Sequence, residues 1–365
     1  MTLLYVTADK VGIETGGGLV TRHEAQALQS LGPCEVWGRD QLGNDPTGAE
    51  PWRWDVEAFH QARHRWGLGA AREPGDPLPR LIHCYAGTFP QLIEAAKFNG
   101  VKVTYTAAAH DVAASRREHE KRGFAYDYPH LTDPALLDRY LAGYRAADVV
   151  ICPSQHSARV MRDFGCRRVK VIPHGCELPA AVKPLPRRFT VGYLGSCASP
   201  DKGLVYLLEA WKRLAYKDAV LLLGGRDSVS PYVLEMVQKT PGAGAVVLAG
   251  WVPNVSDFYN ACSLYVQPSC TEGFGLEVLE AMAHSRPVLC SDGAGAADVV
   301  IPACGGVFPA GSATLLADAI DGARRLARDL QEGVGRNARE RAAEFTWDKI
   351  RARYAALWQG LLAEG

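Results

Sequence analysis

Short apolar runs rich in β-branched residues alternate with amphipathic stretches along most of this 365-residue chain. The apolar runs are of strand length and carry few polar residues, which is typical of strands that are buried on both faces of a parallel sheet. These runs occupy residues 3–6, 81–84, 101–106, 149–153, 169–172, 190–194, 219–223, 245–248, 264–267 and 287–290. Helical periodicity fills intervals between them, at residues 19–31, 89–98, 135–146, 157–164 and 203–215. The alternation predicts an α/β architecture.

A proline-rich segment interrupts this alternation between Glu177 and Arg188. Three prolines lie close together there, and proline fixes φ and removes a backbone donor, so neither a helix nor a central strand can continue. We therefore expect two doubly wound domains of similar size, at residues 1–176 and 189–345, joined by a linker at 177–188. Thr346 can cap a final helix within residues 346–365. Ligands of doubly wound folds bind beyond the carboxyl ends of the strands, which predicts a cleft between the two domains.

Composition narrows the class of protein. The chain is 47% apolar and 22% charged, as in an average globular protein, which argues against a disordered chain. Its 40 basic residues balance 40 acidic ones, which argues against a protein that binds polyanions such as nucleic acid. The N-terminus lacks the basic and apolar regions of a signal peptide, and no apolar stretch is long enough to span a membrane. Ten scattered cysteines without a Cys-x-x-Cys motif favour a reduced, cytoplasmic protein. The basic segment 115–123 is interpreted as a solvated helix face, and the alternative is a contact with the acceptor or with anionic lipid on the inner face of a membrane.

The most informative stretch runs from Pro268 to Cys290. A buried strand ends at Pro268, a glycine-containing loop follows, and a helix begins near Gly275. Gly273 and Gly275 flank this helix start, where free N–H groups and the positive end of the helix dipole favour an anion. Glycines also allow a ligand to approach the main chain closely. A phosphate-bearing ligand is the natural occupant.

Two carboxylates, Glu272 and Glu280, bracket the predicted anion site. A carboxylate next to a phosphate needs a partner that donates hydrogen bonds and adds no negative charge, and the vicinal hydroxyls of a ribose or hexose meet this requirement. The alternative is that Glu272 is an ordinary loop residue and that Glu280 pairs with an arginine.

These residues resemble the signature of the retaining glycosyltransferases of family 4, the group 1 type, which have the GT-B fold. The spacing Glu272-x7-Glu280 carries most of the resemblance; it lies in a segment that begins with Glu-Gly-Phe-Gly-Leu and continues through Glu-Ala-Met-Ala to Pro-Val. Further segments match the family in order, at Cys152-Pro-Ser-Gln-His-Ser, Ile172-Pro-His-Gly175, Lys202-Gly203, Gly250-Trp-Val-Pro and Phe345-Thr-Trp-Asp. The resemblance implies two Rossmann-like domains that face each other across a cleft, with a C-terminal helix that crosses back to the first domain.

The resemblance also implies a role for each site residue. It assigns Glu272 and His110 to the transferred sugar, Glu280 to the ribose, and Lys202 to the diphosphate. The catalytic set is then Glu272, His110 and Lys202. The donor-binding set adds the following positions: Gly17, Gly18, Ser196, Val252, Gly273, Phe274, Gly275, Leu276 and Glu280. Gly16, Gly17 and Gly18 are expected to form a loop after the first strand.

One position departs from the family pattern. An arginine usually follows the glycine at the end of the first strand of the second domain, and this chain has Ser196 there. Serine supplies no charge, so stabilisation of the diphosphate depends more on Lys202 and the helix terminus, with Arg226 as a further candidate.

The expected activity is hexosyl transfer from a nucleoside diphosphate sugar, for example a UDP-sugar or GDP-sugar, to the hydroxyl of an unidentified acceptor. No metal and no other cofactor is expected, because the sequence contains no Asp-x-Asp motif that would hold Mg²⁺ or Mn²⁺. The alternatives are a sugar-nucleotide epimerase, a phosphorylase and a non-catalytic sugar-nucleotide binding protein.

The segment Gly293-Ala-Gly partly resembles a dinucleotide-binding fingerprint. Asp298 replaces the third glycine of that fingerprint, which disfavours a redox enzyme.

Overall fold

The computed structural model describes most of the chain, and its described residues divide into two compact units. The described residues are 2–7, 16–38, 53–69, 78–85, 89–107, 109, 111–125, 133–225, 227–240 and 245–364. The first unit contains the described residues up to 109, together with 133–174 and 347–364. The second unit contains residues 111–125 and the described residues of 175–346.

The first unit is built on a parallel sheet with the strand order β2-β1-β3-β4-β5-β6. Its strands are β1 (Thr2–Thr7), β2 (Cys34–Trp37), β3 (Pro79–Tyr85), β4 (Lys102–Thr106), β5 (Val149–Cys152) and β6 (Val169–Val171). Its helices are α1 (Gly16–Gln29), α2 (Arg53–Trp66), α3 (Pro90–Phe98), α5 (Pro134–Ala146), α6 (Gln155–Asp163) and α13 (Trp347–Ala363). Strands β1 and β5 are almost entirely buried, as their continuous apolar sequences predict.

Local sequence explains where several helices begin. Asp133 accepts a hydrogen bond from the Ala135 amide at 2.8 Å, and Pro134 occupies the first helical position of α5. Ser154 accepts a hydrogen bond from the Ser157 amide at 3.0 Å and so caps α6. These caps satisfy amide groups that have no partner inside the helix.

The C-terminal helix α13 is grouped with the first unit, as the family resemblance implies. It packs against α1, and its fully buried Trp358 donates a hydrogen bond from Nε1 to Thr104 Oγ1 at 3.0 Å. The Trp347 ring stacks on His23 of α1, with 4.2 Å between ring centroids. The last helix is therefore held by aromatic packing and by a hydrogen bond to the central sheet.

The second unit contains the other parallel sheet, with the strand order β12-β11-β10-β7-β8-β9. Its strands are β7 (Thr190–Leu194), β8 (Val220–Gly224), β9 (Ala245–Gly250), β10 (Leu264–Gln267), β11 (Val288–Ser291) and β12 (Gly305–Phe308). Its helices are α4 (Val112–Lys121), α7 (Leu204–Leu214), α8 (Pro231–Gln238), α9 (Val255–Asn260), α10 (Leu276–Ala283), α11 (Ala313–Arg325) and α12 (Arg328–Ala342). The strand order reverses between β7 and β10, which makes the loops after these two strands neighbours.

The predicted α/β class is confirmed, and the differences from the predicted elements are local. Strands β2 and β12 were not expected, because they lack continuous apolar runs: the residues of β2 are partly exposed apart from Trp37, and Val307 of β12 is exposed. The glycines Gly16–Gly18 were expected in a loop, but they form the first turn of α1.

Helix α4 is grouped with the second unit although it follows strand β4 of the first. The Asp111 amide donates to Thr271 Oγ1 at 2.8 Å, and Ser115 Oγ donates to Asp201 Oδ2 at 3.2 Å. Arg116 pairs with Glu120 at 2.8 Å, an i,i+4 ion pair of the kind expected for a solvated helix face. Within the described residues, no helix combines the length and the apolar character that a membrane span requires.

The proline-rich segment has no regular secondary structure, and arginines of the second unit bind its carbonyl groups. Arg339 donates to Pro179 O at 2.7 Å, and Arg328 donates to Pro186 O at 2.7 Å. The buried Arg286 donates to Lys183 O. These bonds attach the segment to the second unit; the linker and the domain boundaries at 176 and 189 stay predictions of the sequence.

All ten cysteines lie in the part of the chain that the structure describes, and none of them forms a disulfide there.

Candidate functional site

The candidate site lies in the second unit, at the loops that follow β7 and β10. Lys202 ends a short 3-10 turn, Pro200–Lys202, in the loop after β7. Gly203 follows with a φ of +73°, and a Cβ atom there would lie 2.0 Å from Pro268 O. Only glycine allows this close approach of the two loops. The approach brings Lys202 to the residues that follow β10.

Glu272 accepts hydrogen bonds from three side chains. Lys202 Nζ donates to Oε1, while Gln267 Nε2 and Ser269 Oγ each donate to Oε2 at 2.8 Å. Gln267 is oriented in turn, because Tyr265 donates from its hydroxyl to Gln267 Oε1 at 2.7 Å. A carboxylate with this set of donors has a fixed orientation, and its charge is balanced by the ammonium group.

The Glu272–Lys202 pair is still reachable from solvent. The side chains are 11% and 26% exposed, respectively. Burial lowers the pKa of Lys202, but the negative charges of Glu272 and Glu277 outweigh this effect and leave the pKa above its ordinary value. Lys202 is therefore a permanent cation at neutral pH.

The main chain of Glu272 is fixed on the opposite side by the loop that begins at Gly293. The Glu272 amide donates to Gly293 O at 2.9 Å, and the Gly295 amide donates to Glu272 O at 3.0 Å. The segment that imitates a dinucleotide fingerprint thus lies beside Glu272 and supports its position.

Helix α10 begins directly after this loop, as the sequence predicts. Gly275 is its N-terminal cap residue, has a φ of +100° and offers no side-chain cap. Gly273 and Phe274 are buried, and Leu276 is the first helical residue. The amide groups of the first turn therefore carry the partial positive charge of the helix terminus.

Glu280 lies one turn further along α10. Its Oε2 accepts a hydrogen bond from the Tyr259 hydroxyl at 2.7 Å, and not from an arginine as the alternative interpretation supposed. Burial raises the pKa of the Glu280 carboxyl, and the bond from Tyr259 opposes this shift only in part. The backbone carbonyl of Glu280 accepts a hydrogen bond from His284 Nδ1 at 2.7 Å.

A third glutamate, Glu277, lies in the first turn of α10. Burial and the neighbouring charges of Glu272 and Glu280 raise its pKa to about 7, although Lys202 acts in the opposite direction. The sequence does not single out Glu277, because a glutamate in the first turn of a helix is ordinary.

Ser196, the residue that stands in place of the family arginine, is exposed and faces an acid. Its Oγ lies 3.4 Å from Asp227 Oδ2. Asp227 also accepts hydrogen bonds from the amides of Cys197 and Ala198, both at 3.0 Å. The Asp227 carboxylate thus links the loop after β7 to the loop after β8. Val252 lies near the same loop, since a Cβ on Gly224 would be 2.9 Å from Val252 Cγ2.

The other predicted site residues are not brought into this group by the described structure. His110 and Arg226 lie outside the described residues. Gly17 and Gly18 lie in α1 of the first unit. Their roles in ligand binding stay predictions.

The structure adds Gln267, Ser269, Asp227 and Glu277 to the predicted set. A weak signal exists in the sequence for the first two, because polar residues at the end of a buried strand are typical of sites in doubly wound folds. Asp227 and Glu277 have no such signal, since their partners become neighbours only through the strand order.

The protein has a two-domain, Rossmann-like α/β fold. Each unit contains a parallel six-stranded sheet with flanking helices, and neighbouring loops follow the strands at which the strand order reverses. Two family models match the chain: "Glycosyltransferase Family 4" matches residues 40–178 and "Glycosyl transferases group 1" matches residues 188–324. The two models match consecutive parts of the chain, which therefore belongs to the family 4, group 1 type of glycosyltransferases with the GT-B fold.

Individual relatives agree with this assignment. The capsular polysaccharide biosynthesis glycosyltransferase CapM of Staphylococcus aureus is 28% identical over 186 residues, which are 47% of each chain. This chain therefore spans about half the length of that curated relative. Among solved structures, the sucrose-phosphate synthase of Thermosynechococcus elongatus has a TM-score of 0.76 and 21% identity, with full coverage of both chains. HepE of Anabaena, solved in complex with UDP and glucose, has a TM-score of 0.68 and 20% identity, covering 98% of this chain and 100% of HepE.

Proposed function

We propose that this protein transfers a hexosyl unit from a nucleoside diphosphate sugar to an acceptor hydroxyl, with retention of the anomeric configuration. The observation that carries the proposal is the orientation of Glu272, which Lys202, Gln267 and Ser269 hold beside the uncapped N-terminus of α10. A fixed carboxylate suits sugar hydroxyls, and an adjacent helix terminus with a lysine suits phosphate oxygens.

Each group has a separate task in this proposal. Glu272 accepts hydrogen bonds from hydroxyls of the transferred sugar, and Glu280 accepts them from the ribose. Lys202 and the amides at Gly273–Leu276 bind the diphosphate. Glu280 suits the ribose because the bond from Tyr259 orients its carboxylate, and because it lies one turn beyond the phosphate-binding end of the helix.

In the reaction, the bond between the anomeric carbon and the diphosphate oxygen breaks, and a bond from the acceptor oxygen to the same carbon forms. The acceptor hydroxyl passes its proton to an oxygen of the departing diphosphate, on which negative charge develops as the bond to carbon breaks. Lys202 and the first-turn amides of α10 stabilise that charge. His110 is proposed to contact the transferred sugar.

The related structures support the class of donor. HepE binds UDP and glucose in its solved complex, and a solved complex of the Staphylococcus aureus protein TarM contains UDP. A uridine diphosphate sugar is therefore the first donor to test, and a guanosine diphosphate sugar is the second.

The experiment is a thermal-shift screen with UDP, GDP, ADP and their sugars, followed by a measurement of turnover. A ligand that binds only the folded state raises the melting temperature, by an amount that grows with ligand concentration. We expect one base to stand out and its sugar nucleotide to be consumed when an acceptor is present. The absence of any shift across the whole panel would overturn the proposal.

Non-catalytic binding of a sugar nucleotide is the second candidate, and the contact between Ser196 and Asp227 favours it. This contact places a negative charge where the family pattern has an arginine, and so weakens the stabilisation of a leaving diphosphate. The two candidates differ in one product, because only the enzyme releases free nucleoside diphosphate.

A further inference from the structure

A chain of hydrogen bonds runs from the sheet of the second unit to the Glu272 carboxylate. The Tyr265 hydroxyl on β10 donates to Gln267 Oε1 at 2.7 Å, and Gln267 Nε2 donates to Glu272 Oε2 at 2.8 Å. Ser269 Oγ accepts from Gln267 Nε2 and donates to Glu272 Oε2, both at 2.8 Å. The chain therefore ends on one oxygen of the carboxylate, Oε2.

The three residues that support Glu272 lie in the core. Tyr265 and Ser269 are fully buried, and Gln267 is 2% exposed. Burial of polar side chains is unfavourable unless their hydrogen bonds are satisfied, and every side-chain nitrogen and oxygen atom of these three residues takes part in one. Apolar residues of similar shape would stabilise this strand end about as well. We therefore expect the polar set to serve the carboxylate at its end.

The direction of the Gln267 amide follows from its two neighbours. An amide oxygen that faced Glu272 would place two acceptors against each other, so the Nε2 side faces the carboxylate. Oε1 then faces Tyr265, whose hydroxyl supplies the proton that this oxygen accepts. The same hydroxyl lies 3.2 Å from Leu194 O, which is the longer contact. Tyr265 thus fixes which end of the amide meets Glu272.

The other carboxylate oxygen, Oε1, has a different kind of partner. It accepts a hydrogen bond from Lys202, whose side chain is 26% exposed. The lysine ammonium has three donors on a flexible stem, so it can turn towards a diphosphate while it stays near Glu272. Gln267 and Ser269 cannot follow a ligand in this way, because they are packed in the core. Oε2 is thus the supported oxygen, and Oε1 is the one that a ligand can share with Lys202.

We propose that Gln267 is a positioning residue for glycosyl transfer: it holds Oε2 of Glu272 so that Oε1 meets the hydroxyls of the transferred sugar, and Tyr265 acts through it. This inference rests on the proposed function, because it assumes a sugar at Glu272. Gln267 itself touches neither the sugar nor the diphosphate. Without its amide, Oε2 keeps only the bond from Ser269, the carboxylate can rotate, and the sugar is held less often in the reactive position.

The test compares, in the whole protein, the affinity for a sugar nucleotide with the affinity for the nucleoside diphosphate alone. Calorimetry with UDP and UDP-glucose, and with GDP and GDP-mannose, gives two dissociation constants for each base, and their ratio isolates the sugar contacts. Gln267→Met keeps the size of the side chain and removes its donor and acceptor. We expect it to reduce turnover by about tenfold or more and sugar-nucleotide affinity by about threefold or more. Affinity for the nucleoside diphosphate should change by less than about twofold, because Gln267 does not touch the phosphates.

A double variant separates positioning from a general effect on folding. Because Gln267 acts through Glu272, Gln267→Met should cause no further loss of sugar-nucleotide affinity in a Glu272→Ala background. Tyr265→Phe removes only the hydroxyl, should show the same pattern to a smaller extent, and takes the place of Gln267→Met if that variant does not fold. Tyr216→Phe is the matched control: it removes a buried-side hydroxyl that donates to Asp321 at 2.7 Å in the same unit, and it should change neither affinity nor turnover.

Unchanged turnover and an unchanged ratio of dissociation constants in Gln267→Met would overturn the inference. An equal loss of both affinities, or a loss that persists in the Glu272→Ala background, would also overturn it, because the effect would then not be carried by Glu272. In each of these cases the proposed function would stand. Failure of every sugar nucleotide to bind to the unmodified protein would overturn the proposed function, and this inference with it.

Discussion

At the residue scale, the site depends on two carboxylates with different surroundings on one segment of chain. Glu272 is balanced by Lys202 and by two neutral donors, whereas the structure gives Glu280 a bond from a tyrosine. This difference suits two tasks, one at the reacting sugar and one at the nucleoside.

The first prediction separates these two tasks by nucleotide affinity. Glu280→Gln should weaken the binding of nucleoside diphosphate by about tenfold or more, because it removes a charge-assisted hydrogen bond to ribose, worth roughly 1.5–3 kcal/mol. Glu272→Gln should leave this affinity largely unchanged, because nucleoside diphosphate has no sugar at that position. Calorimetry with UDP and GDP makes the comparison. Equal affinity in both variants and the unmodified protein would show that Glu280 does not bind the ribose.

The second prediction concerns the cation. Lys202→Met should reduce both diphosphate affinity and turnover, because it removes the charge at the phosphates and leaves Glu272 without its ion pair. Lys212→Met, on α7 of the same unit, is the control and should change neither quantity. Steady-state kinetics with the cognate donor measures both effects. If Lys202→Met behaved like the control, the phosphate site would lie elsewhere.

Sequence alone selected Glu272, Glu280 and Lys202 as candidates, because the Glu-x7-Glu spacing and the Lys202-Gly203 segment both resemble the family pattern; their roles stay predictions. It did not identify Gln267, Ser269, Asp227 or Glu277, whose importance comes from which atoms become neighbours after folding. The bond from Gln267 to Glu272 and the contact of Asp227 with Ser196 both depend on side-chain positions that no residue spacing specifies.

At the element scale, the strand order of the second sheet and the start of α10 build the site. The reversal between β7 and β10 makes two loops neighbours, and Gly203 lets them approach closely. The sequence predicted the two central strands and the helix correctly, because their apolar patterns are continuous. It missed β2 and β12, which have mixed or glycine-rich sequences and lie at the ends of the described strand orders.

The third prediction tests the start of α10. Gly275→Ala should reduce the free energy of unfolding by about 1–2 kcal/mol and lower turnover, because φ at this position is +100° and only glycine adopts it without strain. The nearest atom to the new Cβ, Glu272 Oε2, would lie at 3.5 Å, an ordinary contact, so the expected cost is in the backbone.

The matched control is Gly322→Ala in helix α11, where a Cβ would have no neighbour within 4 Å. Alanine is the better helix former, so this variant should be more stable by roughly 0.5–1 kcal/mol. Chemical denaturation measures both changes. A Gly275→Ala variant with unchanged stability and turnover would contradict the role given to this helix start.

At the scale of the whole molecule, the chain forms two units that are not continuous in sequence. The return of α13 to the first unit was predictable from the family resemblance, but the grouping of α4 with the second unit was not. The hydrogen bonds of Asp111 and Ser115 to Thr271 and Asp201 join positions that are distant in sequence, and their partners are revealed only by the fold.

The fourth prediction applies to the complete protein and concerns metal ions. Turnover should survive exhaustive treatment with EDTA, because Lys202 and the first-turn amides of α10 are proposed to stabilise the leaving diphosphate. The rate of nucleoside diphosphate release, before and after treatment, is the measurement. Loss of activity that Mg²⁺ or Mn²⁺ restores would contradict metal-free catalysis.

The most direct test of the central claim is the release of nucleoside diphosphate from the cognate sugar nucleotide by the complete protein. Chromatography with mass detection would follow free nucleoside diphosphate and the glycosylated acceptor together. The unmodified protein and the control Glu209→Gln, at an exposed position on α7, should form both products at matching rates, whereas Glu272→Gln should form neither while still binding nucleoside diphosphate. Binding of the donor without release of nucleoside diphosphate by the unmodified protein, or full turnover by Glu272→Gln, would contradict a glycosyl transfer that depends on Glu272.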